Sequence, residues 1–461
     1  MNMEMVAESP ETTLSAHRPR SSRYRVVSAW TFWAILTVNA VVIVWLWVYG
    51  KNISGVHGWG DAWTSIGRLT GLLSAYLALI QVLLLARLPW LERVLGFDRL
   101  TVWHRLNGKI CLYLVLAHVV FITIGYASMD QVGIPTEASR LLTSYPGMIA
   151  ATVGTVVMIG VVATSLVIVR RRLPYELWYA VHLMVYAGIA LAWFHQIPTG
   201  NELTANAAAA TYWNSLYLAT AALLVWFRLA VPIWQAFRHQ MRVVAVTPEG
   251  PGVVSLRITG RHLERLGARA GQFFLWRFLT RDRWWASHPF SLSAAPDGRS
   301  LRITVKGVGD FTRRLGEIGP GTRVIAEGPF GVFTDVVRRR DRVLFIAGGI
   351  GITPIRAMLE EMPGNLIFIY RVVREEDVVF RGELERLARE RGIRLLFIVG
   401  DHTQPEARDL LSPDHLRRLV PDLVEREVYL CGPPAMMRML EQNLRWAGTQ
   451  RKYLHSERFV L

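Results

Sequence analysis

A chain of 461 residues that is 52% hydrophobic and 19% charged is no peptide, disordered scaffold or single small module. Its length suits about three domains of ordinary size. The net charge of +16 has two readings, a nucleic-acid footprint or basic residues gathered beside membrane spans. Two distant cysteines, Cys111 and Cys431, exclude a disulfide framework and a cysteine zinc site, so any metal uses other ligands.

Residues 1–28 are polar, with Pro10, Pro19 and four arginines, and read as a mobile cytoplasmic tail. The apolar run Trp30–Tyr49 is too long for a signal-peptide core and lacks a cleavage site after it, so it reads as a retained span. Five further runs follow: Leu69–Ala86, Ile110–Met129, Leu141–Val169, Leu177–Asn201 and Leu203–Phe227. Each is long enough to cross a bilayer core as a helix. The connectors after the second, fourth and sixth runs carry Arg87, Arg93, Arg99 and Arg105, then Arg170, Arg171 and Arg172, then Arg228, Arg238 and Arg242. The opposite connectors hold little more basic than Lys51, Arg68 and Arg140. By the positive-inside rule residues 29–232 form a six-helix bundle with both termini cytoplasmic, as expected of a multi-pass plasma-membrane protein in contact with lipid. Nucleic-acid binding thereby loses its main support.

The third run and its approach carry His104 and His118, and the fifth carries His182 and His195, spaced 14 and 13 residues apart. Histidine is costly in hydrocarbon without a partner. At 1.5 Å of rise per residue each pair spans roughly 20 Å, so two facing pairs at matched depths suit bis-histidine ligation of two b-type haems. A 13-residue step leaves a large rotation at about 100° per residue, so the fifth helix is expected to be irregular or its haems rotated. Gly108 and Gly188 either admit flat macrocycles or pack helices together. Arg68 is read at the outer start of the second helix, facing a propionate or an anion, or simply snorkelling.

From about Met241 the texture turns to short strands such as Val253–Ile258, Gln272–Trp276 and Leu301–Val305, which suits an antiparallel β-barrel over 241–335. Over 340–461 strands alternate with helices, as in a doubly wound α/β domain. His288-Pro289-Phe290-Ser291 offers an aromatic face and hydroxyls to a flat ring. Lys306-Gly307-Val308-Gly309-Asp310-Phe311-Thr312 offers amides and a cation to a pyrophosphate. Gly348-Gly349-Ile350-Gly351-Ile352-Thr353-Pro354, between a strand and a helix, admits phosphate close to the backbone. Arg371 and Arg374 follow the strand Leu366–Tyr370. They either favour a 2′-phosphate or belong to a solvated charge run with Glu375, Glu376 and Asp377.

With the Cys431-Gly432-Pro433 turn and an aromatic near the C-terminus, these motifs make the chain resemble the NADPH oxidase and ferric reductase superfamily. In that family a six-helix bis-haem domain is fused to a ferredoxin-reductase-like dehydrogenase, and this chain looks most like a prokaryotic NADPH oxidase. The resemblance implies FAD held by His288, Pro289, Phe290 and Ser291, with Ser291 near the flavin N5. Lys306, Gly307 and Thr312 would line its pyrophosphate or the approach to it. It implies NADPH, with NADH possible, on Gly348, Gly349, Gly351 and Thr353, with Cys431, Gly432 and Pro433 near the nicotinamide and Phe459 covering the flavin. Arg68 matches the family's outer-haem arginine, whereas Ile122 stands where oxidases place a further histidine. The implied function is transfer of electrons from cytosolic NADPH through FAD and two haems to dioxygen at the outer face. A ferric chelate is the alternative acceptor, and a haem-containing membrane sensor or carrier the reading from another class.

Overall fold

The computed structural model describes residues 5–6, 21–170, 172–282, 284–401 and 409–458. The chain forms two compact units, Val27–Leu229 and a second that joins Met1–Val26 to Ala230–Leu461.

The first unit is helical because a segment in hydrocarbon must satisfy its own backbone polar groups. Among the described residues six helices are long and apolar enough to cross a membrane. They are α1 (Ser21–Tyr49), α2 (Trp59–Leu84), α3 (Phe97–Met129), α4 (Met148–Ser165), a fifth in two pieces, α5 (Tyr175–Leu183) and α6 (Val185–Thr199), and a sixth that begins as α7 (Ala207–Val225). The sixth continues through a π-helical turn, Trp226–Ala230, into α8 (Val231–His239).

Boundaries differ from the apolar runs where capping or backbone geometry overrides hydropathy. α1 begins inside the expected tail, and a short strand β1 (Met5–Val6) also lies there. α2 starts at Trp59, not Leu69, because Asp61 Oδ2 accepts from the free amides of His57 and Gly58, each at 3.1 Å. The run Leu141–Val169 is divided by Pro146 and Gly147, leaving a separate helix, Ile134–Ser144, ahead of α4. Gly147 is left-handed, with φ 77°, and a Cβ there would lie 3.0 Å from His195 Cα, so both conformation and space demand glycine.

α2 and α3 pack along a seam of small residues. A Cβ on Gly67 would lie 2.8 Å from Ile122 Cγ1, and one on Gly125 2.3 Å from Thr64 Oγ1. Such a seam lets the two backbones approach where lipid supplies no hydrophobic drive.

In the second unit the alternating pattern after Met241 becomes β2 (Arg242–Gly250), β3 (Val253–Thr259), β4 (Phe273–Phe278), β5 (His288–Ser291), β6 (Ser300–Lys306) and β7 (Val324–Phe330). They make two antiparallel three-stranded sheets, β2-β3-β6 and β5-β4-β7. The expected barrel is thus two sheets whose edges meet at isolated bridges, Arg242 with Arg323 and Leu292 with Ile303. Phe274, Trp276 and Phe278 point inward and are fully buried, each contributing roughly 1.5–3 kcal/mol.

The following parallel strands are β8 (Arg342–Gly348), β9 (Asn365–Val372), β10 (Arg394–Val399), β11 (Glu427–Cys431) and β12 (Leu454–Glu457), in the order β1-β10-β9-β8-β11-β12. Helices α9 (Ile352–Glu361), α10 (Arg381–Arg391) and α11 (Pro434–Trp446) accompany them. The order reverses at β8, so β8 and β11 flank the topological switch point, where open α/β sheets take their ligands. This layer and the antiparallel sheets share part of one core. Val253, Ala270 and Phe333 belong to the hydrophobic cluster of Val343, Phe345 and Ile355.

Candidate functional site

The helical unit brings the four histidines together in the pairs that their spacing suggests. His104 and His182 have ring centres 6.0 Å apart, and His118 and His195 6.4 Å. Two imidazoles bonded to one metal through nitrogens at about 2.0 Å have centres roughly 6 Å apart, so each pair has room for one metal atom.

The hydrogen bonds fix which nitrogen faces that gap. Nδ1 of His104 lies 3.1 Å from Gln81 O, that of His118 2.8 Å from Gly67 O, and that of His195 2.5 Å from Ala192 O. A carbonyl only accepts, so each Nδ1 carries the proton. Nδ1 of His182 lies 3.2 Å from Ser165 Oγ, whose own proton goes to Val161 O at 2.7 Å, so this Nδ1 also donates. All four rings therefore keep the Nε2 lone pair for a ligand, the arrangement that orients metal-bound histidines. The iron of a b-type haem fits this donor set. The fifth helix is irregular as the 13-residue spacing requires, broken at Met184, whose amide bonds back three residues to Val181 O at 3.1 Å. That tighter turn changes the rotation between His182 and His195.

Gly188 serves helix packing, because a Cβ there would lie 3.1 Å from Gly154 O. Gly108 faces the Gln81 amide. The glycine beside a histidine is Gly71, where a Cβ would lie 2.5 Å from His118 Nδ1. Sequence periodicity gave no signal for it.

A cavity of about 360 Å³ surrounds the second pair, lined by Arg68, His118, Ile122, His195 and Glu202 among others. Arg68 is not at the start of α2 but inside it, and its Nη1 donates to Asn52 Oδ1 at 3.1 Å.

In the second unit His288 and Phe290 lie on β5, held by Trp276 Nε1 donating to Phe290 O at 2.9 Å. Pro289 pairs with Leu275 across the sheet. Phe311, to which the sequence motif assigns no role of its own, stacks on His288 at 3.8 Å between ring centres. Ser291 is buried and its Oγ has no partner among the described residues, an orphan hydroxyl that a flavin ring edge would satisfy.

In the Lys306–Thr312 segment, expected to face a pyrophosphate, three of the amides are bonded within the protein. Gly307 N donates to Gly252 O at 2.8 Å, while Val308 N and Gly309 N donate to Thr312 Oγ1 at 3.0 and 2.9 Å. Thr312 builds the turn that presents Phe311. Lys306 pairs with Asp377 at 3.5 Å.

At the switch point the two Gly-rich turns pack on each other. A Cβ on Gly351 would lie 2.4 Å from Cys431 O, and one on Gly348 3.0 Å from Pro433 Cδ. Gly432 lies against Gly348 in the same way, whereas a Cβ on Gly349 meets open space, leaving its backbone available to a phosphate. Thr353 is buried, with Oγ1 bonded to Ile350 O at 3.2 Å, and Cys431 is fully buried.

Arg371 and Arg374 do not act as a pair. Arg371 is buried with Nη1 on Val372 O and Ile398 O, because its place near the end of β9, opposite Ile398, aims it at strand carbonyls. Arg374 is exposed and paired with Glu376 at 2.8 Å and Asp377 at 3.3 Å, as the charge-run reading expects. Phe459 lies outside the described residues.

Three family descriptions match successive parts of the chain: ferric reductase like transmembrane component over residues 70–193, FAD-binding domain over 238–334 and oxidoreductase NAD-binding domain over 345–442. The glycine betaine monooxygenase reductase subunit of Chromohalobacter salexigens is 29% identical over 241 residues, covering 49% of this chain and 65% of its own length. The ferredoxin–NADP reductase B of Sorangium cellulosum is 28% identical over 49% of this chain and 99% of its own length. The chain thus spans just under two thirds of the first of these relatives. Among solved structures, the flavohaem-like FAD/NAD binding domain of nitric oxide dioxygenase from Vibrio cholerae is 23% identical over 48% of this chain and 98% of its own, with a TM-score of 0.38. A ferric-reductase-like transmembrane component followed by FAD-binding and NAD-binding domains is the architecture of the NADPH oxidase and ferric reductase superfamily, and this chain carries it.

Proposed function

We propose that this transmembrane oxidoreductase moves electrons from cytosolic NADPH through FAD and two b-type haems to dioxygen on the arginine-poor outer face, releasing superoxide. The observation that carries the reading is the set of four imidazoles in two facing pairs, each with Nδ1 protonated and Nε2 free. The flavin, when bound, splits the hydride pair into single electrons, and the haems divide a bilayer core of about 30 Å into two shorter steps. The balance is NADPH + 2 O₂ → NADP⁺ + H⁺ + 2 O₂•⁻.

The residues have separable roles in this scheme. His104 with His182 and His118 with His195 would hold the two haem irons through Nε2, and the haems would supply one-electron transfer. Arg68 lines the outer cavity, where its guanidinium would meet a haem propionate. His288 and Phe311 form the aromatic wall, Ser291 meets the flavin edge, and the Gly349 turn receives the dinucleotide phosphates. Arg374, the exposed cation beyond β9, is the one to meet a 2′-phosphate if it leaves its carboxylates. The protein sits in the plasma membrane with both termini cytoplasmic, as the arginine connectors favour.

A ferric chelate is the second acceptor, since Ile122, which stands where the family resemblance places an oxidase histidine, lines the cavity. Purified protein given NADPH should reduce cytochrome c in a superoxide-dismutase-sensitive way. Rapid Fe(III)-chelate reduction without that signal would reject dioxygen.

A further inference from the structure

We propose that Glu202, acting through Asn52, offsets the charge of Arg68 and so sets the outer cavity against anionic acceptors, admitting a small uncharged one. The inference rests on the reading that the His118–His195 pair marks the electron exit, and it concerns which chemical class is taken there.

Glu202 belongs to the short helix Asn201–Thr204 after the fifth span and is 5% exposed, yet it lines the same cavity as Arg68 and His195. Its Oε1 accepts from Asn52 Nδ2 at 2.5 Å, and Asn52 Oδ1 accepts from Arg68 Nη1 at 3.1 Å. The asparagine is itself fixed, with Nδ2 also on Trp47 O at 2.9 Å and its carbonyl taking the Ser65 hydroxyl at 2.5 Å. The packing is tight as well, since a Cβ on Gly50 would lie 2.9 Å from Glu202 Cγ. Acid, amide and guanidinium thus form one rigid chain along the wall. A buried carboxylate is costly without compensation, and here a cation stands one amide away.

The rest of that face agrees. The arginine-poor connectors and adjoining helix ends carry Lys51, Arg68 and Arg140 against Asp61, Asp130, Glu137 and Glu202, so acids outnumber lysine and arginine. Arg140 lies 3.6 Å from Asp130 and 3.9 Å from Glu137. No excess of positive charge steers an anion inward. Ferric citrate and similar chelates are bulky and negative, whereas dioxygen is small and neutral and takes one electron without a proton.

The test compares the haem-loaded protein with Glu202→Gln, which keeps the shape and removes the charge. Calorimetric titration with gallium(III) citrate, a redox-inert anionic chelate, should show at least tenfold tighter binding to Glu202→Gln. The ratio of ferric-citrate to dioxygen reduction should rise by a similar factor. Equal gallium(III) citrate affinities would overturn the proposal. Should Glu202→Gln fail to retain haem, Asn52→Leu breaks the same chain and is expected to shift binding in the same direction; an unchanged affinity there also overturns it. Because gallium(III) citrate binding needs no electron flow, it judges this proposal even if NADPH fails to reduce the haems, the result that would instead sink the electron-transfer reading.

Discussion

The four histidines were legible at the residue scale because hydrocarbon makes an unpartnered imidazole costly, so their number and spacing demanded a cause. Their Nδ1 partners were not, since three are backbone carbonyls and the fourth a serine on another helix. His118→Ala should leave one haem per chain by pyridine haemochrome assay, and retention of two would contradict the ligand assignment. Ser291 is buried with its hydroxyl left without a partner among the described residues, while Phe311 is hidden inside a segment that reads as a phosphate cradle; only the fold shows its ring on His288. The arginines divide in the same way. Arg374→Ala should raise the KM for NADPH several-fold more than that for NADH, whereas Arg371→Ala should chiefly lower the melting temperature, because its guanidinium bonds strand carbonyls. Equal effects of Arg374→Ala on both coenzymes would remove it as the 2′-phosphate contact.

Turns and caps decide more than hydropathy at the scale of elements. Strands and helices of the second unit fall close to their alternating pattern, since β8, β9 and β10 are buried apolar runs and the turns between them hold glycine. The long run Leu141–Val169 misled because Pro146 and Gly147 interrupt it while its composition stays apolar. Packing of the two Gly-rich turns gives a sharp prediction. Gly351→Val places side-chain atoms against the Cys431 carbonyl and should weaken NADPH binding at least tenfold while FAD is retained.

Two acids, Glu92 buried and Glu383 half-buried, give opposite pH dependences. Burial pushes the Glu92 carboxyl, in the helix Pro89–Leu95, up to about 8 against the pull of Arg87 and Arg228. Between its ordinary value of 4.5 and about 8 the folded chain keeps a proton that the unfolded chain releases, so stability falls as pH rises across that window. Glu92→Gln should flatten this part of the melting curve measured against pH. Burial raises Glu383 too, but the Arg302 hydrogen bond and the charges of Arg356 and Arg302 hold it below 4.5. Its contribution is present above 4.5 and is lost as pH falls through the lowered value. Glu383 joins β6 to α9 and α10, through Arg302 at 2.9 Å and Arg356 at 2.7 Å. Melting of the second unit should therefore become acid-sensitive, and Glu383→Gln should cost roughly 1–3 kcal/mol at neutral pH.

At the scale of the whole molecule the charge of +16 resolves into position. Arginines crowd the connectors on one side of the helical unit, and the other side holds more acids than bases. On the proposed function that asymmetry orients the helices with the His118–His195 cavity outward, where its paired charges would suit a small neutral acceptor. Three family descriptions place, in chain order, a ferric-reductase-like transmembrane component, an FAD-binding site and a NAD-binding site in one chain. The central claim is that these sites are joined in one electron path. Anaerobic titration of the purified, FAD- and haem-loaded protein with NADPH tests it most directly, read at the Soret and α bands. Reduction of both haems is the predicted result; bleaching of the flavin while both haem bands stay oxidised would contradict the account.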